Sequence, residues 1–202
     1  MPHETEMKFK VDRLSLVARR LGMLGARRLY TVLQEDCYFD TPRRRLLRRG
    51  CGLRLRTQRL LRAGRGRLDV RPELTYKGPA RRGCRAKLRP EHQTHIDDAS
   101  AVATVLEACG LKPMLHLQKR RASYRLDRCI VELDELPVLG CFVEIEGSSE
   151  KSIERARRAL HLAGPPIRSH YVRLLQACCG RAGRRCREVT FRTCLRCVDR
   201  PR

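Results

Sequence analysis

The chain has 202 residues, with 45 lysines and arginines against 22 acids, a formal net charge of +23 and no tryptophan. That length allows one domain with a sizeable core plus its ends, and the charge calls for an anionic ligand or a polyanionic partner. Aromatic residues at 4% exclude the stacking platforms of single-strand binders, and no groove-reading helix or finger motif is present, which leaves only salt-sensitive, nonspecific affinity for nucleic acid.

The first residues, Met1 to Glu6, show no basic leader before an apolar stretch, and no run is long enough to span a bilayer. A cytoplasmic chain without a membrane partner is therefore expected, with its 11 cysteines as thiols. Lysine occurs only at 8, 10, 77, 87, 112, 119 and 151 among a majority of arginines, so Lys8, Lys77 and Lys119 stand out as places that retain a compact ammonium.

Residues 4–11 read as a strand with Glu4, Glu6, Lys8 and Lys10 on one face and Thr5, Met7, Phe9 and Val11 on the other. Asp12 then caps a helix whose Leu14, Val17, Leu21 and Leu24 cover that apolar face. A second strand runs from Leu33 to Asp40, followed by a turn at Thr41-Pro42 and a short basic segment, Arg43 to Arg49. Leu53-Arg54-Leu55-Arg56 places two arginines one pleat apart, a fork suited to phosphate oxygens. Residues 59–72, with Gly64 and Gly66, read as an exposed hairpin tip that lacks the setting of a phosphate loop.

Glu73, Thr75 and Lys77 share the polar side of the next strand, and Arg85, Lys87, Arg89 and Glu91 that of the one after it. Asp98 caps a second helix with Val102, Val105, Leu106 and Cys109 inward, so that the strand, helix, strands order of the first half starts again. Lys119, Arg121, Ser123 and Arg125 share a face, as do Glu132 and Asp134, and as do Glu144 and Glu146. A helix over 149–163 stops at Gly164-Pro165-Pro166, and an apolar segment through Tyr171 and Leu175 closes a domain spanning 1–175. Residues 176–202, rich in cysteine and arginine but with one true CxxC at Cys194 and Cys197, are expected as a loosely ordered basic tail and not as a zinc site.

Charged residues on one face of every strand would meet water in an ordinary sheet, but they also suit an α+β fold in which a closed antiparallel barrel turns its polar faces inward and carries its helices outside. Its acids and bases would then share a lumen, which suits a divalent cation held by carboxylates beside a polyphosphate held by cations.

Six segments carry a resemblance in their order: Glu4-x-Glu6-x-Lys8, Asp36-Cys37-Tyr38-Phe39-Asp40, Leu53 to Arg56, Leu74-Thr75-Tyr76-Lys77-Gly78-Pro79, Lys119-Arg120-Arg121, and Leu139 to Glu146. Over about residues 3 to 175 the chain resembles the CYTH superfamily of triphosphate tunnel enzymes, most of all its class IV adenylate cyclase branch. The resemblance implies an eight-stranded tunnel that binds Mg2+ or Mn2+ and a triphosphate. It implies that Glu4, Glu6, Asp134, Glu144 and Glu146 serve the metals, and that Lys8, Arg54, Arg56, Lys77, Arg89, Lys119 and Arg121 hold phosphates, with Lys8, Lys77 and Arg121 at the chemistry. Cys51-Gly52 replaces the Glu-Ala often found before the paired arginines. The activities it implies are ATP cyclisation to cyclic AMP and pyrophosphate, or hydrolysis of an inorganic, nucleoside or thiamine triphosphate. A noncatalytic binder of polyphosphate or nucleic acid stands as the reading from a different class.

Overall fold

Period-two alternation sets the architecture, because each strand has one face for water or ligand and one for a hydrophobic core. In a computed structural model that describes residues 3–81, 83, 87–181 and 187–192, without the side chains of residues 3, 4 and 181, eight strands carry this pattern. They are β1 (His3–Val11), β2 (Arg27–Asp40), β3 (Gly52–Ala63), β4 (Glu73–Lys77), β5 (Lys87–His95), β6 (Lys112–Leu126), β7 (Cys129–Leu136) and β8 (Gly140–Glu146). They pair antiparallel in the order β2-β3-β4-β5-β1-β8-β7-β6, and β2 closes on β6. The result is the closed eight-stranded barrel that the resemblance implies.

Its larger core lies outside the barrel. Met7, Phe9, Val131, Leu133, Val143 and Ile145 point outward and are covered by α1 (Leu14–Met23) through Val17 and Leu21 and by α4 (Glu150–Ala159) through Ile153 and Ala156. Each such side chain contributes roughly 1.5–3 kcal/mol on burial. Ser149 caps α4 by accepting from the Ser152 N–H. The cap expected at Asp12 is displaced by one residue: Arg13 holds the N-cap position of α1 without a side-chain hydrogen bond, and Leu24 stays exposed. Asp98 caps α3 (Ala99–Ala108) as expected, yet this helix buries no residue fully and leaves Val105 exposed.

Local chemistry explains two further pieces. The basic segment after β2 winds into one turn, α2 (Arg45–Arg48), because the Asp40 carboxylate accepts from the N–H groups of Thr41, Leu46 and Leu47 at 2.7, 2.9 and 2.9 Å. The hairpin tip after β3 is seated on β2 and not free: the Arg65 and Gly66 N–H groups donate to the Arg28 and Leu29 carbonyls at 3.0 and 3.1 Å. A Cβ at position 64 would lie 2.3 Å from the Leu29 oxygen, so glycine is needed there for close approach.

At one end the inward positions turn apolar. Leu115 and Leu117 on β6, Leu136 on β7 and Phe142 on β8 share faces with the charged residues and pack against Tyr171 and Leu175 of α5 (Tyr171–Arg181). Residues 176–181 thus continue a helix that closes this end. Beyond them β9 (Glu188–Val189) pairs parallel to β6 where β7 no longer reaches, burying Val189, and Phe191 lies 4.1 Å from the Arg120 guanidinium. Cys186, Cys194 and Cys197 lie outside the described residues. Among the described thiols Cys129 is buried, whereas Cys37 and Cys141 are only half-buried.

Candidate active site

Turning the polar faces inward creates a cavity of about 1050 Å3 lined from every barrel strand and from α2 and α5. Most bases in it meet an acid. Lys8 pairs with Glu144 at 3.0 Å, Arg54 with Glu73 at 2.7 Å, Lys77 with Glu91 at 3.0 Å, and Lys87 with Glu6 at 2.8 Å, with Arg89 3.6 Å from the same Glu6. Arg56 grips Asp36 with two bonds of 2.6 and 2.8 Å. Buried ion pairs seldom stabilise a fold more than an apolar filling of the same volume would, so a whole layer of them marks a place kept for a charged ligand.

Register explains the acidic side. On β1, β8 and β7 the pairings set Glu6 directly opposite Glu146, and Glu144 opposite both Lys8 and Glu132. Two carboxylate pairs therefore stand side by side, where like charges repel unless a cation intervenes. Arg121 supplies part of that compensation: it bonds Glu144 at 2.5 Å, Asp134 at 2.6 and 2.5 Å, and also Glu132. Burial works to raise the Glu144 carboxyl, but Lys8 and Arg121 hold it well below the usual range. Glu132 goes the other way: burial raises its carboxyl, Arg121 opposes, and Asp134 and Glu144 add to the rise.

Asp134 occupies a different place from that expected of a metal ligand. It is fully buried behind Arg121, and its oxygens accept from Arg121, from the Tyr171 hydroxyl at 3.0 Å and from Lys119 at 3.4 Å. Asp36 backs Arg56 in the same manner; burial opposes its charge, but Arg56 and Arg54 hold its carboxyl well below the usual range. Glu4 pairs through its backbone with Arg89, and its side chain lies outside the described residues. Glu146 is exposed, and it lines the cavity together with Glu6, Lys8, Arg54, Arg56, Lys77, Arg89, Lys119 and Arg121.

The segment before α5 brings in residues that alternation does not announce. The described part of β5 begins opposite Glu6, and one pleat along β1 the Ile167 N–H donates to the Lys8 carbonyl at 2.7 Å, which leads the chain into the barrel. The Ser169 carbonyl then accepts from Lys8 at 3.4 Å, and Tyr171 sets its ring 3.8 Å from the Lys8 ammonium. His170 Nδ1 lies 3.2 Å from Lys87 Nζ and 2.9 Å from Arg89, so it accepts and its proton sits on Nε2. Burial first, then Lys87, Arg89, Lys8 and Lys77, lower His170 to about 2 and keep it neutral. Burial likewise lowers Lys87 to about 8, against the pull of Glu6, and lowers Lys119 to about 8 with Arg121 adding to the effect.

Two tests bear on ligands. Arg54 Nε is buried without a partner, which suits an anion oxygen. For a divalent cation, no three acids, histidines or cysteines among the described residues are already placed to hold one. The donor set nonetheless fits, because the facing carboxylates are hard oxygen ligands and Glu132 is under-compensated as it stands. The sequence reading passed over Lys87, Glu132, Asp36, His170 and Tyr171. Shared strand faces could have found the first three; nothing in the periodicity could have found the last two.

The model of the CYTH domain family matches residues 2–163. A Methanocaldococcus jannaschii protein provisionally named an adenylate cyclase is 28% identical over 145 residues, 72% of this chain and 77% of its own length. Adenylate cyclase CyaB of Aeromonas hydrophila is 29% identical over 143 residues, 70% of this chain and 67% of its own. A solved Hippeastrum structure, of a protein provisionally named an adenylyl cyclase and described as revealing a dominant triphosphatase activity, superposes with a TM-score of 0.65 at 18% identity, over 90% of this chain and 96% of that one. With the family model matching four-fifths of its length and the charged barrel in place, the chain belongs to the CYTH domain family.

Proposed function

We propose that the protein is a divalent-metal-dependent enzyme acting on a triphosphate inside the barrel, and that its first activity is ATP cyclisation to cyclic AMP and pyrophosphate. The observation that supports this reading is the enclosed layer in which a wall of arginines and lysines faces two cross-strand carboxylate pairs. Its charges are already close to balance. A triphosphate entering alone would leave the lumen negative, so it has to arrive with a cation.

Lys8, Arg54, Arg56, Lys77, Arg89, Lys119 and Arg121 would take the phosphate oxygens, with Arg54 Nε the first donor free to do so. Mg2+ or Mn2+ would be held by Glu4, Glu6, Glu144 and Glu146, with Glu132. When bound, the metal polarises phosphate oxygens and acidifies the attacking hydroxyl. Asp134 serves as the anchor of Arg121 and Lys119. In cyclisation the ribose 3′-hydroxyl gives up its proton to solvent, its oxygen bonds to the α-phosphorus, and the bond from that phosphorus to the β-bridging oxygen breaks. Lys8, Lys77 and Arg121 then bear the charge that builds on the departing pyrophosphate. Residues 1–175 would form the catalytic unit.

Hydrolysis of the same triphosphate is the second reading, favoured by the activity described for the Hippeastrum structure. The test is product analysis with ATP and Mg2+ or Mn2+, repeated with inorganic and thiamine triphosphates. Cyclic AMP with pyrophosphate supports cyclisation, ADP with phosphate supports hydrolysis, and no turnover of any of them refutes both.

A further inference from the structure

Gln34 on β2 takes no part in the ion-pair layer, yet it is 4% exposed, lines the cavity, and has no hydrogen-bond partner for its Oε1. Buried amide oxygens are rarely left unpaired, so this one needs a reason. Its orientation is fixed from outside. Gln58, opposite it on β3, donates from Nε2 to the Asp69 carbonyl at 2.7 Å, which leaves the Gln58 Oε1 to accept from Gln34 Nε2 at 3.1 Å. Turning Gln34 over would set two amide oxygens against each other, and turning both would aim Gln58 Oε1 at a carbonyl. Asp69 belongs to the hairpin that Gly64 and Gly66 seat on β2, so the lock is tied to the barrel wall.

Gln34 stands one pleat from Asp36 and its Arg56, about 7 Å along the strand. Tyr30, Gln58 and Gln93 continue the lining with neutral groups. A phosphate oxygen is an acceptor and would repel an amide oxygen; the group that fits there is a neutral N–H or O–H next to the charged layer. We propose that Gln34 is a specificity residue that accepts a hydrogen bond from the organic part of a nucleoside triphosphate, either an exocyclic base amine or a ribose hydroxyl. This rests on the triphosphate reading above and narrows it to nucleotides over inorganic triphosphate.

The test compares the affinity for ATP and for inorganic triphosphate, each titrated with Mg2+ or Mn2+ present, in the wild type, Gln34→Met and Gln34→Glu, the last two matched in length but only the second still an acceptor. The ATP to inorganic triphosphate ratio should fall at least about 10-fold in Gln34→Met and stay within about 3-fold of wild type in Gln34→Glu. Inosine triphosphate and 2′-deoxy-ATP identify the donor: the analogue that lacks it should show no further loss in Gln34→Met. A ratio unchanged in Gln34→Met, or lowered equally in both variants, overturns the inference. Wild-type protein that binds no triphosphate refutes the underlying reading and the inference together, an outcome distinct from an unchanged ratio in a protein that binds them.

Discussion

Lys8 joins three parts of the site. Its ammonium meets Glu144, the Ser169 carbonyl and the face of Tyr171, and it is 4% exposed. Lys8→Ala should lower kcat/KM for the triphosphate about 10- to 100-fold, the worth of one charge-assisted hydrogen bond, and steady-state kinetics would check it. An unchanged rate would remove Lys8 from the site. His170 offers a test through stability. Its folded value of about 2 lies below the 6.5 of a free imidazole, so between those limits the unfolded chain binds a proton that the fold refuses. Stability from this residue is complete above pH 6.5 and declines as the pH falls through that window. His170→Asn, which cannot titrate, should lose less of its urea midpoint than wild type between pH 7 and 5. Equal losses would contradict the burial of a neutral imidazole.

Among the elements, the hairpin tip between β3 and β4 shows how a loop comes to serve the lumen. Gly64→Ala places a Cβ 2.3 Å from the Leu29 oxygen, a backbone atom that cannot easily yield. The variant should lose roughly 1–3 kcal/mol of stability, read from denaturant midpoints. From sequence the same glycines announced a turn but not the surface they approach, because close packing between distant segments leaves no periodic trace. The strands were legible for the opposite reason: alternation at Glu6 and Lys8, at Arg54 and Arg56, or at Lys119 and Arg121 places side chains without knowledge of partners. Glu132 and Asp134 share a face in the sequence, but a face does not say which acid a base has already claimed. β9 is two residues long, below what any pattern can reveal. The segment entering at Ile167 read as an apolar closure, because a backbone bond to Lys8 and a histidine between two cations are tertiary facts.

At the scale of the whole molecule, the barrel reverses the usual distribution of a domain. Its larger apolar core lies between strands and helices on the outside, and its charges lie within. Such a layer is costly to desolvate, and it persists here because the outer core compensates for it. No helix of the described residues is long and apolar enough to cross a membrane. The net charge of +23 gives the protein a second, unspecific way to hold polyanions at its surface, which has to be separated from binding in the lumen. Calorimetric titration with inorganic triphosphate at about 0.15 M salt, where exposed charges are screened beyond about 8 Å, separates the two. With Mg2+ or Mn2+ present, the wild type should bind one equivalent, and both a chelator and Glu6→Gln should abolish that binding. Binding that ignores the chelator and survives intact in Glu6→Gln would place the anion on the outer surface and contradict the account.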